Sequence, residues 1–406
     1  MRIALFTETY LPHINGVVTH VKILKEGLEQ LGHEVLVVTA DANTSHHYVA
    51  DGVLHCPAHT SRKFYGYSVA LPISRTRLKM VQKFDPDIIH IHNEFGIGFS
   101  GVLCAKLLGV PLIYTLHTMY DDYIYYVAPK VLAKPTTRLS HRYMRFFAKQ
   151  AEEVTGPSQK CEEYFRKTGL RKGVNVIPNA VEVDQFSVKD ITEEQKLLLR
   201  QQHHIRSDAM VACFVGRLGR EKSVDVLLDY WAQSVRPEDN IHLLIIGDGP
   251  VREELEQQAQ RLGLTDLVTF AGKVPHEQLP PYYALCDVYV TASLSDTNSI
   301  SMLEGMCAGL PVLQRTDPLN ADQVQDGRNG YNFNNAEEMA DKLRQIKTMD
   351  PEILRQFKES VIASIRNSGA RDLAQHTLSV YEKALAEYRE KVWGVERLMG
   401  RNIGRM

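Results

Sequence analysis

Residues 286–314 read CDVYVTASLSDTNSISMLEGMCAGLPVLQ, and how they are read decides the fold. Val288 to Thr291 is a short apolar run of strand type, and Ser293 to Ser299 a polar loop. Ile300 to Ala308 reads as a helix, Gly309 as its stop, and Pro311 to Leu313 as a second strand. Strand, loop, helix and strand in that order is the repeat of a parallel α/β sheet. Such a sheet puts the loop and the helix start at the carboxyl edge of its strands, where ligands bind. The helix start offers free backbone N–H groups to an anion. Asp296 in the loop and Glu304 in the helix frame this edge. A sugar diol can donate two hydrogen bonds to such a carboxylate. The alternative is that Asp296 caps the helix and Glu304 is a solvated helix residue.

The chain has 406 residues, 44% hydrophobic and 24% charged, with net charge −2. That composition is globular, with length for two domains of about 150–200 residues each. Near-neutral charge argues against a general nucleic-acid binder. The opening MRIALFTETY has four consecutive apolar residues before Thr7, too few for a signal peptide. No apolar run reaches the roughly 18 residues of a membrane span, which leaves peripheral attachment open. The six cysteines lie scattered in apolar contexts without a C-x-x-C and read as buried thiols of a cytosolic protein.

The N-terminal half opens as a βαβ unit: strand 2–7, a loop with Gly16 at the helix junction, a helix ending near Gly32, and strand EVLVVTA. A strict G-x-G-x-x-G is absent, so a dinucleotide fold is not supported. In DIIHIHNEF, His90 and His92 share a strand face. A metal there would need a third ligand, and none stands at a recognisable spacing; the metal set is taken as empty. His117 follows the strand PLIYTL and so sits at a carboxyl end, although a lone histidine is more often structural. Tyr114, Tyr120, Tyr123, Tyr125 and Tyr126 follow one another closely, and tyrosine suits a surface apolar at one end and wet at the other.

Residues 127–149 carry Lys130, Lys134, Arg138, Arg142, Arg145 and Lys149 and no acid, with Leu139, Tyr143, Phe146 and Phe147 on the neighbouring helix face. A basic amphipathic helix with aromatics is an interfacial-membrane pattern. The alternative is a helix packed on its own domain with a solvated basic side. Ser158 is placed to cap the next helix. The second half restarts with MVACFVGRLGREKSVDVLL, strand, loop and helix. Arg217 and Lys222 beside that helix start form a sound diphosphate clamp, a fork and a point charge. The alternative is a surface ion pair of Lys222 with Glu221.

Four stretches carry a resemblance. Asp296 and Glu304 with GMCAGLPVL resemble the E-x7-E signature of the retaining family-four glycosyltransferases, with Asp296 for the first glutamate, Asn298-Ser299 for Phe-Gly and Gly305 for alanine. Arg217 and Lys222 match the Gly-Arg-x4-Lys-Gly motif, with Ser223 for the second glycine. VNVIPNAVEVDQF is similar to the interdomain segment, with Ala180 and Glu182 for glycine and aspartate. HTMYDDYIYY resembles the diacylglycerol glucosyltransferase branch.

The resemblance implies a GT-B fold, two Rossmann-like doubly wound domains facing across a cleft. The expected division is 1–182 on the acceptor side, 183–384 for the nucleotide sugar, and 385–406 as a helix crossing back. The implied activity is a retaining, metal-independent hexosyl transfer from a nucleotide sugar, with UDP-glucose expected, to a membrane lipid such as 1,2-diacylglycerol. Catalytic roles fall to His117, Arg217, Lys222 and Asp296. Donor binding falls to Gly16, Asp248, Gly249, Val274, Asn298, Ser299 and Glu304, the last on the ribose. Tyr120, Tyr123, Arg138, Arg142, Arg145, Phe146, Phe147 and Lys149 form the expected acceptor and membrane set. No cofactor beyond the substrate is implied. The partners are the nucleotide sugar, the lipid and an anionic membrane surface on the cytoplasmic side, and no nucleic acid. The rivals are another lipid-linked or soluble glycan acceptor, and a catalytically weakened pseudo-glycosyltransferase that serves as a partner.

Overall fold

In the computed structural model, residues 1–13, 15–60, 68–123, 133–320 and 323–398 are described. Two compact units divide the chain. Unit 1 comprises Met1–Ala180 with Ala370–Met406, and unit 2 comprises Val181–Gly369.

Unit 1 is built on strands β1 (Arg2–Thr7), β2 (Glu34–Asp41), β3 (Tyr48–Ala50), β4 (Val53–Thr60), β5 (Ser68–Ala70), β6 (Ile88–Ile91), β7 (Leu112–Thr115), β8 (Glu153–Gly156) and β9 (Asn175–Val176). Their order is β3-β4-β2-β1-β6-β7-β8-β9, with β5 on β4. From β4 to β9 the pairing is parallel, and β3 and β5 pair antiparallel with β4.

The sequence pattern explains why the sheet is clad on both faces. Successive side chains of a strand point to opposite faces. Ile3, Leu5, Val35, Val37 and Ile88 join one apolar cluster, with Val21 and Leu24 of helix Gly16–Gln30 and with Leu373 and Tyr381 of helix Ala370–Leu398. Ala4, Phe6, Leu36, Val38 and Ile89 join another, with Val81, Val102 and Phe147 from three other helices. Strands buried on both sides read as continuous apolar runs, as RIALFT does.

Unit 2 repeats the design with β10 (Met210–Val215), β11 (Ile241–Ile246), β12 (Val268–Gly272), β13 (Val288–Thr291), β14 (Val312–Arg315) and β15 (Gly330–Phe333). The order is β12-β11-β10-β13-β14-β15, parallel throughout. Again alternate residues divide between two cores, Ala212 and Phe214 to one, Val211 and Cys213 to the other. All six cysteines are buried and free.

The C-terminal helix enters unit 1 earlier than expected. It starts at Ala370, not at 385, and runs to Leu398; residues 399–406 lie outside the described residues. Its first turn lies close against helix Gly16–Gln30. A Cβ on Gly27 would stand 2.0 Å from the Ala370 carbonyl oxygen and 2.9 Å from the Ala374 Cβ. Only glycine fits there. The Ser158 position also differs from expectation. It is the N-cap of helix Gln159–Lys167 without a side-chain cap bond, and its Oγ is buried with no hydrogen-bond partner among the described residues.

Gly27→Ala should therefore overpack the contact between helices Gly16–Gln30 and Ala370–Leu398. We expect a loss of about 1–3 kcal/mol of stability, read by chemical denaturation. An unchanged unfolding midpoint would show that the two helices do not meet at Gly27.

Candidate functional site

The strand order fixes where chemistry can sit. In unit 2 the chain winds outward from β10 to β12 on one side and from β13 to β15 on the other. The crevice beyond the carboxyl ends of β10 and β13 is therefore the topological switch point, the usual ligand position in such sheets. The loop after β10 carries Arg217 and a 3₁₀ turn Arg220–Lys222, then helix Val224–Ser234. The loop after β13 leads into helix Ile300–Cys307.

These two loops are tied together. Lys222 Nζ forms an ion pair with the Asp296 carboxylate, and Ser295 Oγ donates to the Glu221 carbonyl at 2.7 Å. The side chains of the pair are each about a fifth exposed, at 23% and 20%, so the charges are reachable. Lys222 thus reaches Asp296, and a simple surface pair with Glu221 does not describe it. Arg217 is half-buried in the same loop. Ser223 has φ 51°, in the left-handed region that a glycine occupies at lower cost.

Glu304 is 3% exposed, which rules out a solvated role. Its Oε1 lies 2.7 Å from His276 Nε2, and its Oε2 accepts from the Tyr283 hydroxyl at 2.9 Å. Burial and the neighbouring Glu304 charge push the Tyr283 phenol well above its usual range, so it stays a donor. Gly305 follows Glu304 where a Cβ would meet Tyr289 Cδ2 at 3.1 Å, which accounts for glycine in place of alanine.

Asp296 is not the helix cap. Ser299 is, its Oγ accepting from Met302 N at 3.4 Å. Ser299 also leaves the donor-binding set. Its amide donates to Gln323 Oε1 at 3.1 Å and its carbonyl accepts from Gln323 Nε2 at 3.0 Å. Gln323 is a buried partner that no motif announced. Asn298 stays half-buried beside it. At the end of β11, Asp248 is exposed and its Oδ1 accepts from Gly249 N at 2.8 Å. A Cβ on Gly249 would lie 2.4–2.8 Å from Leu218 backbone atoms. The loops after β10 and β11 therefore touch main chain to main chain. Val274, beyond β12, is half-buried at the same edge.

Unit 1 has its own switch point, between β1 and β6. Asn15 Oδ1 accepts from Val17 N and Val18 N, both at 3.0 Å, and starts helix Gly16–Gln30; Gly16 is exposed at its first position. His92 follows β6, His117 follows β7, and His20 comes from the helix. His92 Nδ1 lies 3.1 Å from His117 Nε2, and the His20 ring stands edge-on to His117 with centroids 4.6 Å apart. His20 Nδ1 meets Asn179 Oδ1 at 2.9 Å.

Burial holds all three imidazoles neutral. Burial lowers His20 to about 4 and takes His92 and His117 well below the ordinary range, with the nearby His20 and His90 imidazoles adding to the effect on both. The ligand atoms of His20, His92 and His117 lie within 4.8 Å of one another, so His20 and His117 join His92 in a group of three that spacing did not reveal. His90 leaves the pair read from the strand. Its two nitrogens meet the Tyr381 hydroxyl at 2.7 Å and Thr115 Oγ1 at 2.6 Å.

Tyr114 and Tyr120 turn inward. The Tyr114 and Tyr120 hydroxyls both donate to the Glu94 carboxylate, and Tyr143 donates to the Glu94 carbonyl. Burial raises Glu94 to about 7. Tyr120 is thus a support for Glu94, not a free membrane contact. The Tyr123 side chain and residues 124–132, with Tyr125, Tyr126 and Lys130, lie outside the described residues.

Helix Ala133–Gln150 splits the expected membrane set. Phe147 is fully buried, packed against Tyr114 in the core, and Arg145 Nη1 donates to the Thr168 carbonyl at 3.0 Å. Both leave the set. Arg138, Leu139, Arg142, Tyr143, Phe146 and Lys149 are exposed. Among the described residues, no helix is long and apolar enough to cross a membrane.

Comparison with known proteins agrees with this geometry. Residues 14–185 match the family described as Glycosyltransferase Family 4, and residues 195–363 match Glycosyl transferases group 1. An alpha-monoglucosyldiacylglycerol synthase of Acholeplasma laidlawii is 33% identical over 363 residues, 87% of this chain and 90% of that protein. An enzyme of the same name from Streptococcus pneumoniae is 29% identical over 360 residues, 87% of this chain and 80% of that protein. The crystal structure of Anabaena Alr3699/HepE in complex with UDP-glucose superposes with a TM-score of 0.70 at 19% identity, covering 94% of this chain and 100% of that one. The fold is GT-B, as the two doubly wound units require.

The ion pair at the unit 2 switch point gives a direct test. Asp296→Asn should tighten binding of inorganic pyrophosphate several-fold by removing a negative charge beside Lys222, and Lys222→Ala should weaken it. Calorimetry on the purified protein reads both. Equal affinities in all three proteins would mean that this edge is not an anion site.

Proposed function

We propose that this chain, which belongs to the family 4 glycosyltransferases, moves a glucosyl residue from UDP-glucose to the hydroxyl of 1,2-diacylglycerol. The observation that carries the sugar and the acceptor is the similarity, across 87% of the chain, to two alpha-monoglucosyldiacylglycerol synthases. In this reading unit 2 binds the nucleotide sugar and unit 1 serves the acceptor. The protein works on the inner face of the cell membrane as a peripheral enzyme of the cytoplasm.

Transfer proceeds with retention at the anomeric carbon and needs neither a metal nor a covalent nucleophile. The diphosphate is the group that gains charge as the glycosidic bond breaks. Arg217 and Lys222 stabilise it there, an electrostatic role that strengthens toward the transition state. Asp296 holds Lys222 in place and, with Asn298, faces the hexose. Glu304 takes the ribose. An ionised carboxylate has about four lone-pair sites, and His276 and Tyr283 use one on each oxygen. That leaves acceptor capacity on both oxygens for a diol. In unit 2, Asp248, Gly249 and Val274 line the nucleotide with main chain or short side chains, and in unit 1 Gly16 leaves a helix start open to a donor group. His117 contacts the hexose as a neutral imidazole, since burial opposes its charging.

The acceptor stays in the bilayer, so the enzyme must come to it. The exposed Arg138, Arg142 and Lys149 lie beside the exposed Leu139, Tyr143 and Phe146 on helix Ala133–Gln150. Cations with an apolar stripe suit the surface of an anionic leaflet.

Two experiments test this reading. Vesicles of diacylglycerol and anionic lipid, supplied with UDP-glucose and EDTA, should yield a monoglucosyl lipid by mass spectrometry. Arg217→Ala and Lys222→Ala should each lower turnover by roughly 10²-fold or more with unchanged melting. Absence of product, or wild-type rates in both variants, would overturn the assignment.

The second concerns the membrane. Each of the three exposed cations contributes about 1 kcal/mol near a charged leaflet. The triple change Arg138→Ser, Arg142→Ser and Lys149→Ser should abolish co-sedimentation with anionic vesicles, as high salt should. It should leave calorimetric UDP binding intact. Equal binding to neutral and anionic vesicles would sink the anionic-surface role.

A further inference from the structure

His92 has a buried nitrogen without a hydrogen-bond partner among the described residues. Its Nδ1 meets His117 Nε2 at 3.1 Å, and its Nε2 is buried with no hydrogen-bond partner among the described residues. A neutral imidazole carries one N–H and one bare nitrogen. The proton of His92 is therefore on Nδ1, bonded to His117, or on Nε2, buried with nothing to donate to. Orphaned buried N–H groups are rare, and leaving a buried donor unmade is costly. The first arrangement wastes only a lone pair. With His92 Nδ1–H donating, His117 Nε2 is the acceptor, and the single proton of neutral His117 sits on Nδ1.

The neighbouring rings do not disturb this assignment. His90 is fully engaged by Tyr381 and Thr115. His20 donates from Nδ1 to Asn179 Oδ1, the carbonyl end of that amide, and packs edge-on against His117 without a hydrogen bond to it.

We propose that His92 is a positioning residue that fixes His117 as its Nδ1–H tautomer, so that His117 offers the hexose a hydrogen-bond donor. The inference rests on the reading that His117 meets the hexose. It adds what that contact is. His117 Nδ1–H donates to a sugar oxygen and neither accepts from a hydroxyl nor carries a charge. His92 touches no substrate and acts through His117 alone.

The test uses full-length protein labelled with ¹⁵N-histidine, in which two-bond proton–nitrogen correlations report the tautomer of each ring. We expect His117 protonated on Nδ1. An asparagine amide nitrogen can stand where His92 Nδ1 stands. His92→Asn should keep both the tautomer and most of the activity. His92→Leu removes the donor. It should release His117 toward Nε2–H and lower kcat by roughly 10–100-fold, the range for outer-shell partners of functional histidines. UDP affinity should not change in either variant.

A His117 protonated on Nε2 in the wild type overturns the proposal, and so does near-wild-type kcat in His92→Leu. Zinc binding at one equivalent, lost in His92→Asn, would also overturn it, because the three close imidazoles would then be a metal site. If His92→Leu does not fold, the wild-type and His92→Asn tautomers still decide. The spectrum needs no turnover. An Nδ1–H His117 in a protein that transfers no glucose would leave the relay standing and sink the glucosyltransferase reading instead.

Discussion

A parallel sheet covered by helices on both faces has an interior place for an ionisable group only where hydrogen-bonding partners are packed with it, as Tyr381 and Thr115 are with His90. That constraint organises both units. Ile3 and Leu5 fill one core while Ala4 and Phe6 fill the other, and the same division recurs at Val211 and Ala212. The side chains proposed for function gather at the carboxyl edge. His92 follows β6, His117 β7, Arg217 β10, Asp248 β11 and Asp296 β13. The strand order then decides which of these residues share a switch point.

The energetics at unit 2 favour function over stability. An ion pair as exposed as Lys222–Asp296 contributes about 1 kcal/mol or less to folding, so stability alone does not account for it. Its effect is to hold a cation beside a helix start without neutralising it fully. Glu304 is the opposite case. A carboxylate this deeply buried is tolerated only with good hydrogen bonds, and His276 and Tyr283 supply them. Those two residues hold Glu304 in place with a hydrogen bond to each oxygen.

Much of this was legible because the relevant signals are local. Strand, loop and helix periods located β10, β13 and the helix at Ile300 within a residue or two. The positions of Arg217, Lys222, Asp296 and Glu304 at the edge followed from that. What was not legible depends on tertiary contact. Gln323 reaches Ser299 from 24 residues away and has no motif. His20 joins His92 and His117 from a helix whose sequence looks only amphipathic. The strand period paired His90 with His92, but Tyr381, nearly 300 residues later, claims His90. That the last helix packs onto unit 1 from Ala370 onward depends on the absent side chain of Gly27, a packing distance that no periodicity contains.

Helix Ala133–Gln150 shows the same limit from the other side. Its basic and aromatic residues were counted as one surface, yet which of them face outward is decided by what the inward side must satisfy. Arg145 goes to the Thr168 carbonyl and Phe147 to the core. Tyr143 keeps its ring exposed while its hydroxyl binds the Glu94 carbonyl. Glu94 lies two residues after His92. Glu8, raised to about 7 by burial, pins the far end of that segment by accepting Ile97 N at 2.7 Å. The helix we assign to the membrane and the histidine we assign to the hexose contact are thus held by one strand-end loop, residues 92–97. Side chains from the residue after β1, from β7 and from the helix itself fasten it. A short loop fastened at Glu94 and Ile97 in this way has little freedom to let one function shift without the other.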